Sequence, residues 1–253
     1  MKISSPSNIN KNKLTNVVDL SVHPELGANL DILLLEKNNS YSFETNNKEY
    51  ILLLFTGEVR ISEGDNIFSL KRNDVRVENS VFVRASSLKS ISINAITDSE
   101  LLLISAPNNI GFQTHQGVGK QGMAGLNAHE GRTRRIKRPL YDTKDIPSSV
   151  LFVGELITYQ GSWACYPPHR HVEPEIYFYR FFPKGGYAFV EDGDIVHRIE
   201  ENDVVGVVNG NNHSQTTAPG FNGYILWIQR LTGAGVPIVY SLDPRYAYLD
   251  DQS

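Results

Sequence analysis

Short runs of apolar and β-branched residues, separated by turn-forming residues, make up most of this chain. In its first half the turn signals include Gly57 and the pair Gly64-Asp65. No stretch there shows the 3.6-residue periodicity of a long amphipathic helix. The close spacing of the runs predicts an antiparallel sandwich or barrel. The predicted strands are 30–35, 41–43, 50–55, 59–61, 67–70, 81–83, 91–96 and 101–105.

A second series of predicted strands begins near residue 150. The segment before it is rich in Gly, Asn and charged residues, and it is longer than the usual connection inside a compact domain. Two series separated by such a segment predict a domain over 1–110, an interdomain linker over 111–148 and a second domain over 149–253. The strands of the second series are 150–159, 187–190, 194–199, 203–208, 214–217 and 224–231.

The composition is that of an ordinary soluble protein, with 40% hydrophobic and 21% charged residues in 253. A formal charge of −4 gives no reason to expect a nucleic-acid partner. No stretch approaches the ~18 apolar residues that span a bilayer, so we expect a cytoplasmic protein without a membrane partner. A single cysteine, Cys165, excludes an internal disulfide and a cysteine-rich zinc site.

Two other features of the predicted linker have simple interpretations. The basic cluster 132–138 is one short run in an acidic protein, so a solvated or subunit-contact loop is favoured over a nucleic-acid site. His115 and His129 are interpreted as solvated loop histidines.

The stretch 162–180, SWACYPPHRHVEPEIYFYR, carries the candidate chemistry. His169 and His171 are two residues apart in a predicted strand, so both imidazoles leave the same face. Glu175 follows four residues later and opens a run of β-formers, and the link 172–174 allows a bend because it ends in proline. Two imidazoles and a carboxylate suit Zn²⁺, Fe²⁺, Mn²⁺ or Ni²⁺ in a site with open positions.

A fourth ligand is predicted downstream. The strand 204–208 is followed by the hairpin signal Asn209-Gly210, and His213 stands just inside the next strand. Glu173 competes with Glu175 for the carboxylate role, since it also lies at even spacing from the histidines. We favour Glu175 because it directly precedes the aromatic strand.

These motifs resemble those of a known family. The pattern HxHx₃E with a later Gly-x₂-His resembles the two metal motifs of the cupin superfamily. The segments GELITYQGSWACYPPHRH and EIYFYR are similar to the family of 5-deoxyglucuronate and 5-keto-4-deoxyuronate isomerases, which shares an HxH and E-x-Y-x-Y pattern. The segment VENSVFVRASSLKSISINAITDSELLLISAP resembles the N-terminal barrel of that family, so the resemblance covers most of the chain.

The resemblance implies an all-β bicupin of two tandem double-stranded β-helix barrels, assembled as a homo-oligomer. His169, His171, Glu175 and His213 would be the metal ligands in the C-terminal barrel. The metal would be a divalent transition metal, zinc in the first place, with manganese, iron or nickel as alternatives. The N-terminal barrel would be degenerate, because the only histidine before the linker is His23.

The activity implied is aldose–ketose isomerisation of a small sugar acid, converting 5-deoxyglucuronate to 5-dehydro-2-deoxygluconate in myo-inositol catabolism, or a close uronate analogue. Tyr179 is one candidate for moving the proton, and a metal-bound water is the other. Tyr177 and Tyr179 share the strand parity of Glu175, so both line either the site or the barrel core. Arg180 is a candidate to hold the substrate carboxylate through its planar donor set, or else a surface charge at the strand end.

Two departures from the family pattern flank the expected pocket. The link between the HxH pair and the glutamate is short, only 172–174, and Val208-Asn209 stands where the family has proline and a basic residue. These departures leave the exact sugar acid open. An iron-dependent cupin dioxygenase and a non-catalytic sugar-acid-binding bicupin are the alternative functions.

Overall fold

A computed structural model describes residues 1–6, 8–119, 135–164 and 167–252, with side chains as far as residue 248. Within these residues the expected all-β fold is confirmed. The chain forms twenty strands, together with two short 3₁₀ helices at Pro24–Leu26 and Pro244–Gln252. Neither of the helices seen in this part of the chain is long and apolar enough to cross a membrane.

The strands of the first half form one nine-stranded antiparallel sheet. Its main path runs in the order β10-β7-β5-β9-β3-β2, while β6 and β8 also pair with β5, and β4 pairs with β8. The strands are β1 (Lys2–Ile3), β2 (Leu14–Val18), β3 (Asn29–Leu35), β4 (Ser40–Glu44), β5 (Lys48–Glu63), β6 (Asn66–Arg72), β7 (Val81–Ala85), β8 (Ser90–Ala95), β9 (Ser99–Pro107) and β10 (His115–Val118), of which β1 belongs to another sheet.

The strands of the second half form two further sheets. The six-stranded sheet has the order β1-β17-β14-β19-β12-β11, and the five-stranded sheet has the order β16-β15-β18-β13-β20. The strands are β11 (Arg135–Pro139), β12 (Leu151–Thr158), β13 (His169–Arg170), β14 (Glu175–Phe182), β15 (Ala188–Asp192), β16 (Ile195–Ile199), β17 (Val204–Val207), β18 (His213–Thr217), β19 (Asn222–Arg230) and β20 (Ser241–Leu242).

Gly57 does not make the turn that the sequence suggests. The predicted strands 50–55 and 59–61 are one continuous strand, β5, in which the register shifts between Leu54 and Thr56. Gly57 lies just after this shift with φ of 109°, and a Cβ there would collide with Ser99. Glycine therefore serves a bulge that lets one strand continue, which a turn signal alone does not distinguish from a chain reversal.

The segment predicted as a linker contributes strands to both large sheets. β10 pairs with β7, and β11 pairs with β12 at the edge of the six-stranded sheet. His115, at the start of β10, contacts the carbonyl of Gln113 through Nδ1. The domain boundaries at 110 and 148 stay a prediction.

The expectation of a solvated loop for the basic cluster is wrong where the structure describes it. Arg135 and Arg138 are buried in β11, and Arg138 donates hydrogen bonds to the carbonyls of Val75 and Arg76. The guanidinium of Arg138 thus serves as a donor to two backbone carbonyls. The charge of an arginine alone does not predict this buried role. His129 and residues 132–134 lie outside the described residues.

The sheets pack around three hydrophobic cores. The largest lies between the nine-stranded and six-stranded sheets, a second is enclosed by the nine-stranded sheet, and a third lies between the six-stranded and five-stranded sheets. Along β14, Ile176 and Phe178 enter the largest core, while Tyr177 and Tyr179 enter the third. The six-stranded sheet is therefore buried on both faces, and the period of two decides which core each residue joins.

A buried ion pair connects the two halves through the largest core. Arg72 donates two hydrogen bonds of 2.7 Å to the carboxylate of Glu155, and both side chains are 0% exposed. Tyr224 donates to the same carboxylate at 2.8 Å, and Ser80 donates to it as well. The carboxylate is thus satisfied on all sides, as a charge in an apolar interior must be.

A second buried ion pair joins Arg84 to Glu49. Arg84 and Asn108 each donate a 2.7 Å hydrogen bond to one oxygen of Glu49. Ser149 donates to the other oxygen at 2.8 Å, so the carboxylate ties β5 and β7 to the chain just before β12.

Replacing Arg72 with methionine should destabilise the protein severely. The substitution leaves the charge of Glu155 buried with only neutral donors, and breaking such a pair from one side costs about 3–5 kcal/mol. The double variant Arg72→Met/Glu155→Leu removes both charges and should recover much of that loss. Urea unfolding followed by circular dichroism measures both changes.

The matched control is Lys11→Met. Lys11 forms an ion pair with Glu36 at 2.7 Å, but on the exposed surface, so its loss should leave the unfolding midpoint unchanged. Equal midpoints for Arg72→Met and the parent would show that the buried pair does not hold the halves together.

Candidate metal centre

Three histidines and one glutamate converge inside the second half of the chain. β13 and β18 are neighbours in the five-stranded sheet, and their pairing places His169 directly opposite His213. His171 follows β13, and Glu175 opens β14 in the facing sheet. All four side chains are buried, and one ring nitrogen from each histidine lies within 4.8 Å of those of the other two.

Each imidazole is fixed through its Nδ1 atom by a backbone carbonyl. His169 Nδ1 contacts the carbonyl of Pro167 at 3.0 Å, and His213 Nδ1 contacts that of Asn211 at 3.0 Å. His171 Nδ1 contacts the carbonyl of Glu173 at 2.9 Å. A carbonyl can only accept, so Nδ1 carries the proton and Nε2 is left to bind a cation.

Glu175 lies on the Nε2 side of this cluster. Its Oε2 atom is 2.9 Å from His171 Nε2 and 3.4 Å from His213 Nε2. Burial would raise the pKa of Glu175, but the contacts with these two histidines hold that pKa far below its usual range. Burial likewise opposes the charged form of His171, yet Glu175 raises the pKa of His171. The carboxylate is thus ionised and requires a positive charge beside it.

The other two histidines can supply further nitrogen ligands to a metal ion. Burial, with the neighbouring His213, lowers the pKa of His169 to about 4, so its imidazole is a neutral donor at neutral pH. His213 Nε2 is buried 3.4 Å from Glu175 Oε2 and forms no well-aligned hydrogen bond with the described residues. Three imidazoles and one carboxylate fit a divalent transition ion.

The structure separates the two glutamates that the sequence left in competition. Glu173 is buried, but its carboxylate lies on the far side of His171, 3.9 Å from Nδ1. Glu175 lies at Nε2 instead, where the three histidines meet. The difference arises because Pro174 ends the bend and β14 begins at Glu175, so only the second carboxylate enters the sheet facing the histidines.

Neither residue predicted as catalytic lines the site. Tyr179 is fully buried in the third core, where its hydroxyl donates to Gln215. Arg180 has the opposite strand parity and forms ion pairs with Glu100 and Glu201. The structure thus brings the four predicted ligands together, whereas Tyr179 and Arg180 are not among the described residues that line the cavity. Their catalytic role stays a prediction.

A cavity of about 310 Å³ opens onto the histidines. It contains His169, His171 and Glu175 at one end, and three cationic side chains also line it. Its volume suits one small polar molecule. The remaining lining residues are Asp142, Thr143, Phe152, Leu156, Tyr177, Trp227, Gln229, Pro237, Ile238 and Tyr240, with Arg135, Lys137 and Lys144 as the cations.

Several of these residues have no signal in the sequence. Gln229 pairs in register with Glu175 across β14 and β19, and its Nε2 lies 3.2 Å from His171 Nε2. Trp227 lies against β12 at Gly154, where a Cβ would collide with the indole. The tail also contributes, since the ring of Tyr240 lies 5.8 Å from that of His169. The alternation along β19 could have identified Trp227 and Gln229, once the site face was known.

Sequence relatives of this chain include two bacterial enzymes named 5-deoxy-glucuronate isomerase. That of Halalkalibacterium halodurans is 26% identical over 177 residues, which are 61% of this chain and 62% of the relative. That of Bacillus subtilis subsp. natto is 24% identical over 237 residues, which are 85% of each chain. The first alignment thus spans less than two thirds of the relative, and the second spans most of it.

Solved structures with a similar fold include a protein of the same type. The crystal structure of an IolB-like protein from Salmonella typhimurium LT2 matches with a TM-score of 0.84 at 18% identity, covering 98% of both chains. A cupin 2 conserved barrel domain protein from Leptotrichia buccalis matches with a TM-score of 0.50 at 11% identity, covering 88% of this chain and 91% of that one. At these identities the likeness concerns the fold, which is that of cupins.

The sequence profile of the KduI/IolB family extends over nearly the whole chain. It matches residues 4–241, a span that includes the candidate metal centre and the strands from β2 to β19. The resemblance stated from the sequence motifs is therefore confirmed, and this chain belongs to the KduI/IolB family.

Proposed function

We propose that this protein is a metal-dependent isomerase that interconverts the aldose and ketose forms of a small sugar acid. The observation that carries the proposal is the convergence of three carbonyl-anchored imidazoles on one ionised carboxylate beside a cavity. Membership of the KduI/IolB family and the names of its relatives support a sugar-acid isomerase. The first candidate reaction is the conversion of 5-deoxyglucuronate to 5-dehydro-2-deoxygluconate, in myo-inositol catabolism, and a close uronate analogue is the second.

His169, His171, His213 and Glu175 would hold the metal, with zinc as the first candidate and manganese, iron or nickel as alternatives. A divalent ion in this position supplies Lewis acidity, which polarises a carbonyl and stabilises negative charge on adjacent oxygens. The Nδ1–carbonyl contacts hold the rings in place, so local chain geometry orients the donor set.

Isomerisation moves one hydrogen between neighbouring carbons and one proton between their oxygens, so it consumes no oxidant. The cavity supplies groups suited to holding the sugar during that transfer. The Gln229 amide lies beside the metal position and can donate to a sugar oxygen, while Trp227 offers an apolar face. Tyr177, and not Tyr179, is the tyrosine of β14 that lines the cavity.

The remaining expectations from the sequence stay predictions. We infer a homo-oligomer from the family resemblance, and a cytoplasmic location with no nucleic-acid or membrane partner from the composition and charge of the sequence. Light scattering of the purified protein measures the first of these.

The purified protein should contain a near-stoichiometric transition metal. His169→Ala and His213→Ala each remove one imidazole from the cluster and should sharply reduce the metal content and abolish turnover of 5-deoxyglucuronate. Elemental analysis and a coupled isomerase assay measure the two effects.

His23→Ala is the matched control for those variants. His23 is partly exposed in the first half of the chain, far from the cluster in sequence, so its loss should leave both metal content and turnover unchanged. Parent protein that takes up neither zinc, manganese nor iron would refute the isomerase proposal. Metal-dependent oxygen uptake in place of isomerisation would favour a dioxygenase.

The two neighbouring glutamates should differ in their effect on metal affinity. Glu175→Gln removes the carboxylate at the Nε2 atoms and should lower affinity by more than about 100-fold, whereas Glu173→Gln acts only behind His171 and should cost at most about 10–100-fold. Competition with a chromophoric chelator measures both affinities. A larger loss of metal affinity in Glu173→Gln than in Glu175→Gln would make Glu173, and not Glu175, the carboxylate ligand.

A further inference from the structure

Lys137 stands out among the cations of the cavity because of where β11 places it. In the register of the six-stranded sheet, Lys137 lies opposite Leu156 of β12. Paired residues of antiparallel strands project from the same face, and Leu156 projects into the third core and the cavity. Lys137 therefore reaches the cavity from an edge strand, while its neighbour Arg138 points to the opposite face and binds carbonyls there.

The ammonium group of Lys137 has an aromatic neighbour but no ion-pair partner among the residues that the structure describes. Its Nζ lies 5.7 Å from the centre of the Trp227 ring, within the range of a cation–π contact. Over the ranges that the structure describes, no carboxylate or carbonyl oxygen accepts a hydrogen bond from it. Other lysines of the described residues form ion pairs with carboxylates, as Lys71 does with Glu58.

The surroundings of Lys137 disfavour its positive charge as long as no anionic ligand is bound in the cavity. Burial lowers the pKa of Lys137, and the positive charge of Arg135 adds to this effect, while Glu175 opposes it. Glu175 does not neutralise the lysine, because its carboxylate is engaged by His171 and His213. A cation held partly out of water without a counter-ion gains most from an incoming anion.

The positions of these groups define two ends of a binding site. Glu175 lies on β14, Trp227 on the adjacent β19, and Lys137 on β11, with β12 between the last two. All three side chains line the same cavity. The sheet thus spaces the metal position and the ammonium group on either side of an indole face, an arrangement suited to a molecule with a carbonyl at one end and an anion at the other.

We propose that Lys137 is the residue that binds the carboxylate of the sugar acid, with Trp227 as the platform between that carboxylate and the metal centre. This inference rests on the proposed function and adds to it the group that distinguishes a sugar acid from a neutral sugar. Arg135 supports the site from the same strand face, where its guanidinium is held by a 2.7 Å hydrogen bond to the carbonyl of Ala164.

The test compares an acid with its neutral counterpart in the metal-loaded protein. Calorimetric titration with D-glucuronate and with D-glucose measures the contribution of the carboxylate, and assays with 5-deoxyglucuronate give KM and kcat. Lys137→Met should weaken D-glucuronate binding and raise KM by about 10–100-fold, the usual effect of losing a hydrogen bond to a charged group, with a smaller change in kcat. Binding of D-glucose should not change.

Lys137→Arg keeps the positive charge but cannot act as a base, so it should restore most of the acid binding and of kcat. If it restores binding while kcat stays at zero, Lys137 moves the proton and the carboxylate assignment is wrong. The charge-matched control is Lys13→Met, which removes an exposed lysine from the first half of the chain and should change none of the constants.

Two results separate this inference from the proposed function. Parent protein that isomerises 5-deoxyglucuronate while Lys137→Met keeps the parental KM overturns the role of Lys137 alone. Parent protein that isomerises no sugar acid overturns the proposed function, and the titrations with D-glucuronate and D-glucose then still decide whether Lys137 binds a carboxylate. Unchanged metal content and unfolding midpoint in Lys137→Met show that any loss is not a failure to fold.

Discussion

The alternation of side chains along the six-stranded sheet is the constraint on which the rest of the structure depends. Because successive residues leave opposite faces, each strand serves two layers at once. On β14, Ile176 and Phe178 bind the two halves together, whereas Glu175 and Tyr177 face the cavity. A shift of register by one residue would exchange these sets and place a carboxylate in the largest apolar core. Packing therefore fixes the position of the candidate metal centre as firmly as it fixes the core.

Buried charge is distributed on the same principle on both faces of that sheet. On the face toward the first half, Glu155 is neutralised by Arg72 and further satisfied by Tyr224. On the other face, the ion contacts of Glu175 in the described part of the chain are with His171 and His213, and histidines bring no obligatory positive charge. An arginine closes a site permanently, because its guanidinium is always protonated, while neutral imidazoles leave room for a metal ion. The first carboxylate is thus suited to stability and the second to chemistry.

Local hydrogen bonds orient the histidine ligands of the centre. In each of the three histidines, Nδ1 donates a hydrogen bond to a backbone carbonyl within two residues along the chain. Local chain geometry therefore sets the ring orientation. Facing strands then need only bring the rings together. This arrangement explains why such short sequence motifs specify the site: the contacts that orient each ligand are local, and only the convergence of the ligands depends on the fold.

The sequence by itself determined the all-β class, the approximate position of most strands, the family and the four candidate ligands. These features depend on local period and on residues close together in the chain, such as His169, His171 and Glu175, which pattern reveals directly. The sequence left Glu173 and Glu175 in competition, since parity alone does not show where a bend ends. It also proposed Tyr179 from its strand parity and Arg180 from its planar donor set, and neither feature shows how deep a residue lies or what it meets in the fold.

Only the tertiary structure decided which distant residues join the cavity. Two of these residues, Trp227 and Gln229, lie on β19 beside β14, and Lys137 lies on the edge strand β11. Nothing in their local sequence indicates a binding role. The segment expected to be a linker supplies β11 for the same reason: an edge strand forms there because β12 offers unpaired backbone groups, not because its own sequence is rich in β-formers. Local periodicity specifies strands and ligands, whereas strand order, set by long-range pairing and packing, specifies the site that they form.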